Sequence, residues 1–190
     1  LPGYVSGEVP SGIANFQPDP AQRKFLVTQC GHTAEPVVNE RCISAVYTMG
    51  STSSIGQSAG SGLDIWVCHD PALSAERLAL LEQKCQLISR LAEQHSVEMN
   101  FFLIPENKFR IGNRAQVGLD NCGSAQHLLL LEEFYRSATR VAGKRLLWQL
   151  LPVEREEEYD SLAAAMFSTG MISEDDWLDL GGVSRIPAEE

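Results

Sequence analysis

The sequence predicts an α+β domain. Three β-rich runs, Ile43 to Met49, Leu63 to Cys68 and Val97 to Ile104, have the length and residue types of strands. Two long stretches, 74–94 and 124–143, instead repeat apolar residues at spacings of three and four, as amphipathic helices do. The two kinds of element do not alternate regularly, which argues against a parallel α/β sheet. With 190 residues and 44% hydrophobic content, the chain has material for one domain with a sizeable core.

Residues 1–40 hold five of the nine prolines and read as an irregular arm, with one short helix near Pro20 to Thr28. The strand at 43–49 is followed by a Ser- and Gly-rich loop, Gly50 to Gly62, and by the strand at 63–68. Ser74 is a suitable N-cap for a helix running to about Gln94, with Leu78, Leu81, Cys85, Ile88 and Leu91 as its buried stripe. In the strand at 97–104, Val97, Met99, Phe101 and Leu103 share one face and Glu98 lies on the other. A loop over 107–123 leads to a helix from about Ser124, with Leu128, Leu131, Phe134, Ala138 and Val141 inward and Gly143 at its end. A fourth strand is expected at 146–152, then helices at 154–167 and 174–180, the last capped by Ser173.

Fifteen basic against twenty-five acidic residues give a net charge of −10. Such a chain repels nucleic acid and anionic membranes at long range, so no nucleic-acid partner is expected. Five cysteines with no Cys-x-x-Cys pair argue against a zinc site or a disulfide framework and fit a reducing cytoplasm. Residues 1–10 lack the basic and apolar regions of a signal peptide, and no apolar run is long enough to span a bilayer. A cytoplasmic location is therefore expected.

Chemistry concentrates in a few residues. Gly50 lets the backbone approach a phosphate closely, and Ser51 and Ser53 offer donors beside it. Asp64 lies inside an apolar strand, where a carboxylate is costly unless it binds a metal or hydrogen bonds. Asp64 and Glu98 on neighbouring strands can face one magnesium ion, with substrate phosphates completing its shell. Lys144 and Arg145 can neutralise the rest of a triphosphate. Each residue also has an ordinary explanation: a plain loop, a hydrogen-bonded Asp, a solvated Glu, and basic charges at a helix C-terminus. Their order along the chain is what favours a nucleotide. Trp66 can stack on a base but is more commonly core, and His69 and His127 read as structural before catalytic.

The stretch Val46-Tyr47-Thr48-Met49-Gly50-Ser51-Thr52-Ser53-Ser54-Ile55-Gly56-Gln57-Ser58 resembles the signature of the class I adenylate cyclases of enterobacterial type. So do Leu63-Asp64-Ile65-Trp66-Val67-Cys68-His69, Phe101-Phe102-Leu103-Ile104 with Glu106-Asn107, and Cys122-Gly123-Ser124. Glu133-Phe134-Tyr135-Arg136, Ala142-Gly143-Lys144-Arg145 and Trp177-Leu178-Asp179-Leu180-Gly181-Gly182 extend the likeness over nearly the whole chain.

The resemblance implies a fold similar to the DNA polymerase β nucleotidyltransferases, a mixed sheet with helices against it, over residues 41–190. It implies conversion of ATP to 3′,5′-cyclic AMP with Mg2+ or Mn2+. Gly50, Ser51 and Ser53 would hold the triphosphate, with Lys144 and Arg145 as weaker assignments. Asp64 and Glu98 would be catalytic and hold the metal. It also implies a longer chain, with a regulatory region as a partner of this domain, and says nothing of oligomeric state. One departure stands out. The family pattern reads Ser-Asp-Leu-Asp-Ile-Trp, whereas this chain reads Ser61-Gly62-Leu63-Asp64-Ile65-Trp66. Gly62 stands where the first Asp of that pair belongs, Asp64 being the second. Two alternatives to the cyclase stay open: nucleotidyl transfer to an external acceptor, and an ATP-binding module without turnover, which Gly62 favours.

Overall fold

A computed structural model describes residues 9–30, 41–50, 58, 61–110 and 121–183, without the side chains of 26, 29, 30 and 121–128. Within them run α1 (Pro20–Cys30), β1 (Ile43–Met49), β2 (Leu63–His69), α2 (Ala75–Glu93), β3 (Met99–Pro105), α3 (Asn121–Ser137), β4 (Thr139–Gly143), β5 (Arg145–Leu146), α4 (Tyr159–Ser168) and β6 (Trp177–Leu178). Two short 3-10 turns, Leu147–Leu150 and Val153–Glu158, join β5 to α4. The architecture is α+β with a mixed sheet.

The main sheet has the order β3-β2-β1-β4. β1 is antiparallel to both β2 and β4, and β2 is parallel to β3. A parallel pair needs a long crossover, and α2 supplies it. Ser74 caps α2, its side chain accepting from the Arg77 N–H at 3.3 Å. Leu81 and Cys85 of α2 pack on Ile43, Ile65 and Val67 from one sheet face. Leu131, Phe134 and Tyr135 of α3 cover Ala45, Tyr47, Met49, Trp66 and Cys68 on the other. Strand alternation sends Asp64, Trp66 and Cys68 to the α3 side and Ile65 and Val67 to the α2 side.

The cysteines Cys42, Cys68 and Cys85 are buried and form no disulfide with one another. Burial pushes Cys85 up to about 11. Burial, and then the nearby Glu106 carboxylate, push Cys68 higher still. Thiols held this far from ionisation are core filler. Among the described residues no helix is long and apolar enough to cross a membrane.

Four expected elements come out differently. Residues 139–143 are not the end of a helix but β4, and Val141 is 58% exposed. Pairing of Thr48 with Thr139 and of Ala45 with Gly143 outweighs the local helical period. In the expected strand at 146–152, only Arg145–Leu146 pairs, with Trp177–Leu178. Leu146 and Leu147 are both fully buried, in different clusters, so the chain turns a corner there. The expected helix over 154–167 is split at Arg155, whose φ of −115° is non-helical. Glu154 and Glu158, four apart, would repel along one helix face. At 174–180, Ser173 caps only one turn, its hydroxyl accepting from the Asp175 N–H at 3.2 Å. Leu178 and Leu180 are both buried, a spacing of two rather than of a helix.

Candidate functional site

The C-terminal end of β1 and the N-terminal ends of β2 and β3 meet at one edge of the main sheet. Met49 pairs with Asp64, and Asp64 with Asn100. Glu98 immediately precedes β3, and its carbonyl accepts from the Leu63 N–H at 2.8 Å. The chain enters β3 from a sharp turn in which Ser96 has φ 60° and the Val97 N–H donates to the Ala92 carbonyl. That turn delays the strand to Met99, two residues later than the sequence suggests.

Asp64 and Glu98 therefore lie together, joined by a residue that sequence reasoning passed over. The Asn100 amide donates to Asp64 Oδ1 at 3.2 Å and to Glu98 Oε1 at 3.4 Å. Asn100 stands two residues after Glu98, so the strand period that links Glu98 to the face of Asp64 could have found it too. Gly62 completes the group. A Cβ there would lie 3.3 Å from Glu98 Cδ and 3.4 Å from Asn100 Nδ2. A side chain at position 62 would thus enter this cluster.

Gly50 caps the same end of β1 with φ 79°, a backbone that favours glycine. Its N–H donates to Ser137 Oγ at 3.0 Å, and a Cβ there would meet nothing within 4 Å among the described residues. Ser51 and Ser53 lie outside the described residues.

Lys144 and Arg145 are not brought to this end. The Lys144 N–H bonds the Ser44 carbonyl, five strand residues from Met49, or about 17 Å at ~3.3 Å per residue. The Lys144 ammonium pairs with Glu106 at 3.0 Å. The Arg145 guanidinium lies 5.7 Å from the centre of the Trp177 ring. Trp66 is 1% exposed and stacks on Phe134 at 4.0 Å and on Phe109 at 5.7 Å, so it is core and not a base platform. His69 is buried at the far end of β2, its Nδ1 2.9 Å from the Asp70 carbonyl.

Chemically, the cluster is two carboxylates around one amide donor. No group of three or more His, Cys, Asp or Glu poised for a metal occurs among the described residues. Two carboxylates still fit magnesium, which is commonly held by one or two of them together with substrate phosphates.

The family described as the adenylate cyclase NT domain matches residues 1–149. The adenylate cyclase of Escherichia coli K12 is 47% identical over 194 residues, covering all of this chain and 23% of that protein. Those of Salmonella typhimurium and Yersinia pestis are 48% and 46% identical with the same coverage. The chain thus spans about a quarter of the length of these relatives. A crystal structure of a toxin-antitoxin with AMP-PNP aligns over 70% of this chain and 87% of its own, at 18% identity. Its TM-score of 0.33 is too low to bear on the fold. With the family match spanning most of its length, this chain belongs to the adenylate cyclase N-terminal domain family.

Proposed function

We propose that this domain binds ATP with a divalent metal at the Gly50–Asp64–Glu98 edge and is the catalytic part of an adenylate cyclase. The single observation that carries the reading is the meeting of Asp64 and Glu98 beside the glycine turn that ends β1. Asp64 and Glu98 would hold Mg2+ or Mn2+, which would supply charge neutralisation at the phosphates. Gly50, with Ser51 and Ser53 of the following loop, would cradle the triphosphate through N–H and hydroxyl donors. Lys144 and Arg145 are left out of that cradle, because they stand at the other end of the sheet.

Catalysis would rest on positioning and charge. The ribose 3′-oxygen attacks the α-phosphorus, the bond to the β-phosphate oxygen breaks, and pyrophosphate leaves. Glu98, exposed at the mouth of the sheet, takes up the 3′-hydroxyl proton. The domain organisation follows the same reading, with an arm over 1–40 and the catalytic unit over 41–190. The rest of a full-length protein would then supply regulation, and the cytoplasm would supply ATP.

Gly62 favours a second reading for this chain as it stands, an ATP-binding module with little turnover. Both readings require the same binding site. Asp64→Asn is expected to weaken magnesium-dependent ATP binding, followed by calorimetry, by at least about tenfold. Unchanged affinity, or ATP binding indifferent to magnesium, would remove the site from this edge.

A further inference from the structure

We propose that Asn100 is a third oxygen ligand for the divalent cation, standing in for the carboxylate that Gly62 lacks. The inference rests on the metal-binding reading above and goes beyond it to a residue outside the family's acidic pattern.

The Asn100 amide sits at the centre of the cluster. Its Nδ2 lies 3.2 Å from Asp64 Oδ1, 3.4 Å from Glu98 Oε1 and 3.4 Å from where a Cβ on residue 62 would be. The head of Asn100 therefore fills the space toward which a side chain at position 62 would point. The NH2 group faces the two carboxylates, since two anions call for a donor. A half-turn about the Cβ–Cγ bond puts Oδ1 in the same place. Such terminal torsions are broad and two-fold, and the side chain is exposed, so the turn is open to it. Hard divalent cations accept amide carbonyl oxygen beside carboxylates. One side chain thus has two orientations matched to two states, donor to bare carboxylates and acceptor-side ligand to a cation.

The proposal separates Asn100 from a mere spacer. A spacer that only kept the carboxylates apart would compete with the cation, and its loss would tighten binding. A ligand does the reverse.

The test is Mn2+ affinity without nucleotide, read by electron paramagnetic resonance of free Mn2+, on the 190-residue chain and four variants checked for folding by circular dichroism. Asn100→Leu is expected to weaken Mn2+ binding at least about tenfold, and Asn100→Asp to tighten it by a similar factor. Asp64→Asn and Glu98→Gln should each weaken it, and the Asn100 side-chain 15N resonance should shift on adding Mg2+. If the carboxylate variants lose Mn2+ while Asn100→Leu binds as tightly as the parent or tighter, Asn100 is no ligand and only this proposal falls. If the carboxylate variants bind as the parent does, the metal site itself is misplaced and both readings fall.

Discussion

Replacing Gly62 with Asp is expected to raise cyclic AMP formation from magnesium-ATP by about a hundred- to a thousandfold, since a metal-ligating carboxylate is worth several kcal/mol of transition-state stabilisation. The local structure accepts the change. The φ of Gly62 is not left-handed, so an L residue meets no backbone strain there. The new Cβ would lie 3.3–3.4 Å from Glu98 and Asn100, a tight fit. Both neighbours are exposed side-chain ends that can give by a few tenths of an ångström. Positions 62 and 64 lie two apart entering β2, so the new carboxylate and Asp64 face the same way. Three carboxylates then crowd one point, and the unloaded variant should melt lower than the parent and regain stability on adding Mg2+. Product would be followed by chromatography, with Gly62→Asp/Asp64→Asn as the control that must abolish it. ATP binding without cyclic AMP in the Gly62→Asp variant would leave the module reading standing and end the cyclase one. Turnover only after an acceptor alcohol is added would point to nucleotidyl transfer instead.

Much of the fold was legible where the signal is local. β1, β2 and α2 follow from residue type, period and the Ser74 cap, all contained within a few turns of chain. The helical reading of 139–143 failed because the decisive partner, β1, lies more than ninety residues away along the chain. A spacing of three and four between Phe134, Ala138 and Val141 says nothing of that pairing. The short β5–β6 pair fails to show for the same reason: two residues carry no period, and Leu146 and Leu147 look like any apolar run.

The candidate site was legible in its charges and not in its neutral members. Asp64 stands out because a carboxylate in an apolar strand needs an explanation, and Glu98 because it is the acidic residue that the next strand run places beside it. Asn100 carries no charge, and Ser137 lies at the end of a helix whose contact with Gly50 is purely tertiary. The Gly143-Lys144-Arg145 triplet shows the opposite case. Its basic residues suggested phosphate, but the register of β4 puts them beside Ser44, at the end of β1 away from Met49.

That register makes Gly143 a packing residue, and Gly143→Ala should cost about 2–5 kcal/mol, combining about 1–2 for a left-handed backbone with about 1–3 for overpacking. Gly143 has φ 93°, and an added Cβ would run into the Ser44 carbonyl oxygen, lie 2.5 Å from Ala45 Cα and 3.0 Å from Ile13 Cγ2. Two of these are backbone atoms of β1, which cannot retreat without giving up their pairing with β2. The loss is a large share of an ordinary domain's stability of about 5–15 kcal/mol, so urea unfolding would register it plainly. Lys144→Met is the informative companion. The Lys144–Glu106 pair is partly exposed, with side-chain exposures of 17% and 24%, so its removal should cost only about 1 kcal/mol. ATP affinity should stay within about twofold of the parent, because an ammonium bound to Glu106 at the far end of the sheet cannot reach a triphosphate at Gly50. A tenfold loss of ATP affinity in Lys144→Met, with stability unchanged, would bring the triplet back into the nucleotide site. Unchanged affinity together with a destabilised Gly143→Ala would assign the glycine to the β1–β4 seam and the lysine to its ion pair.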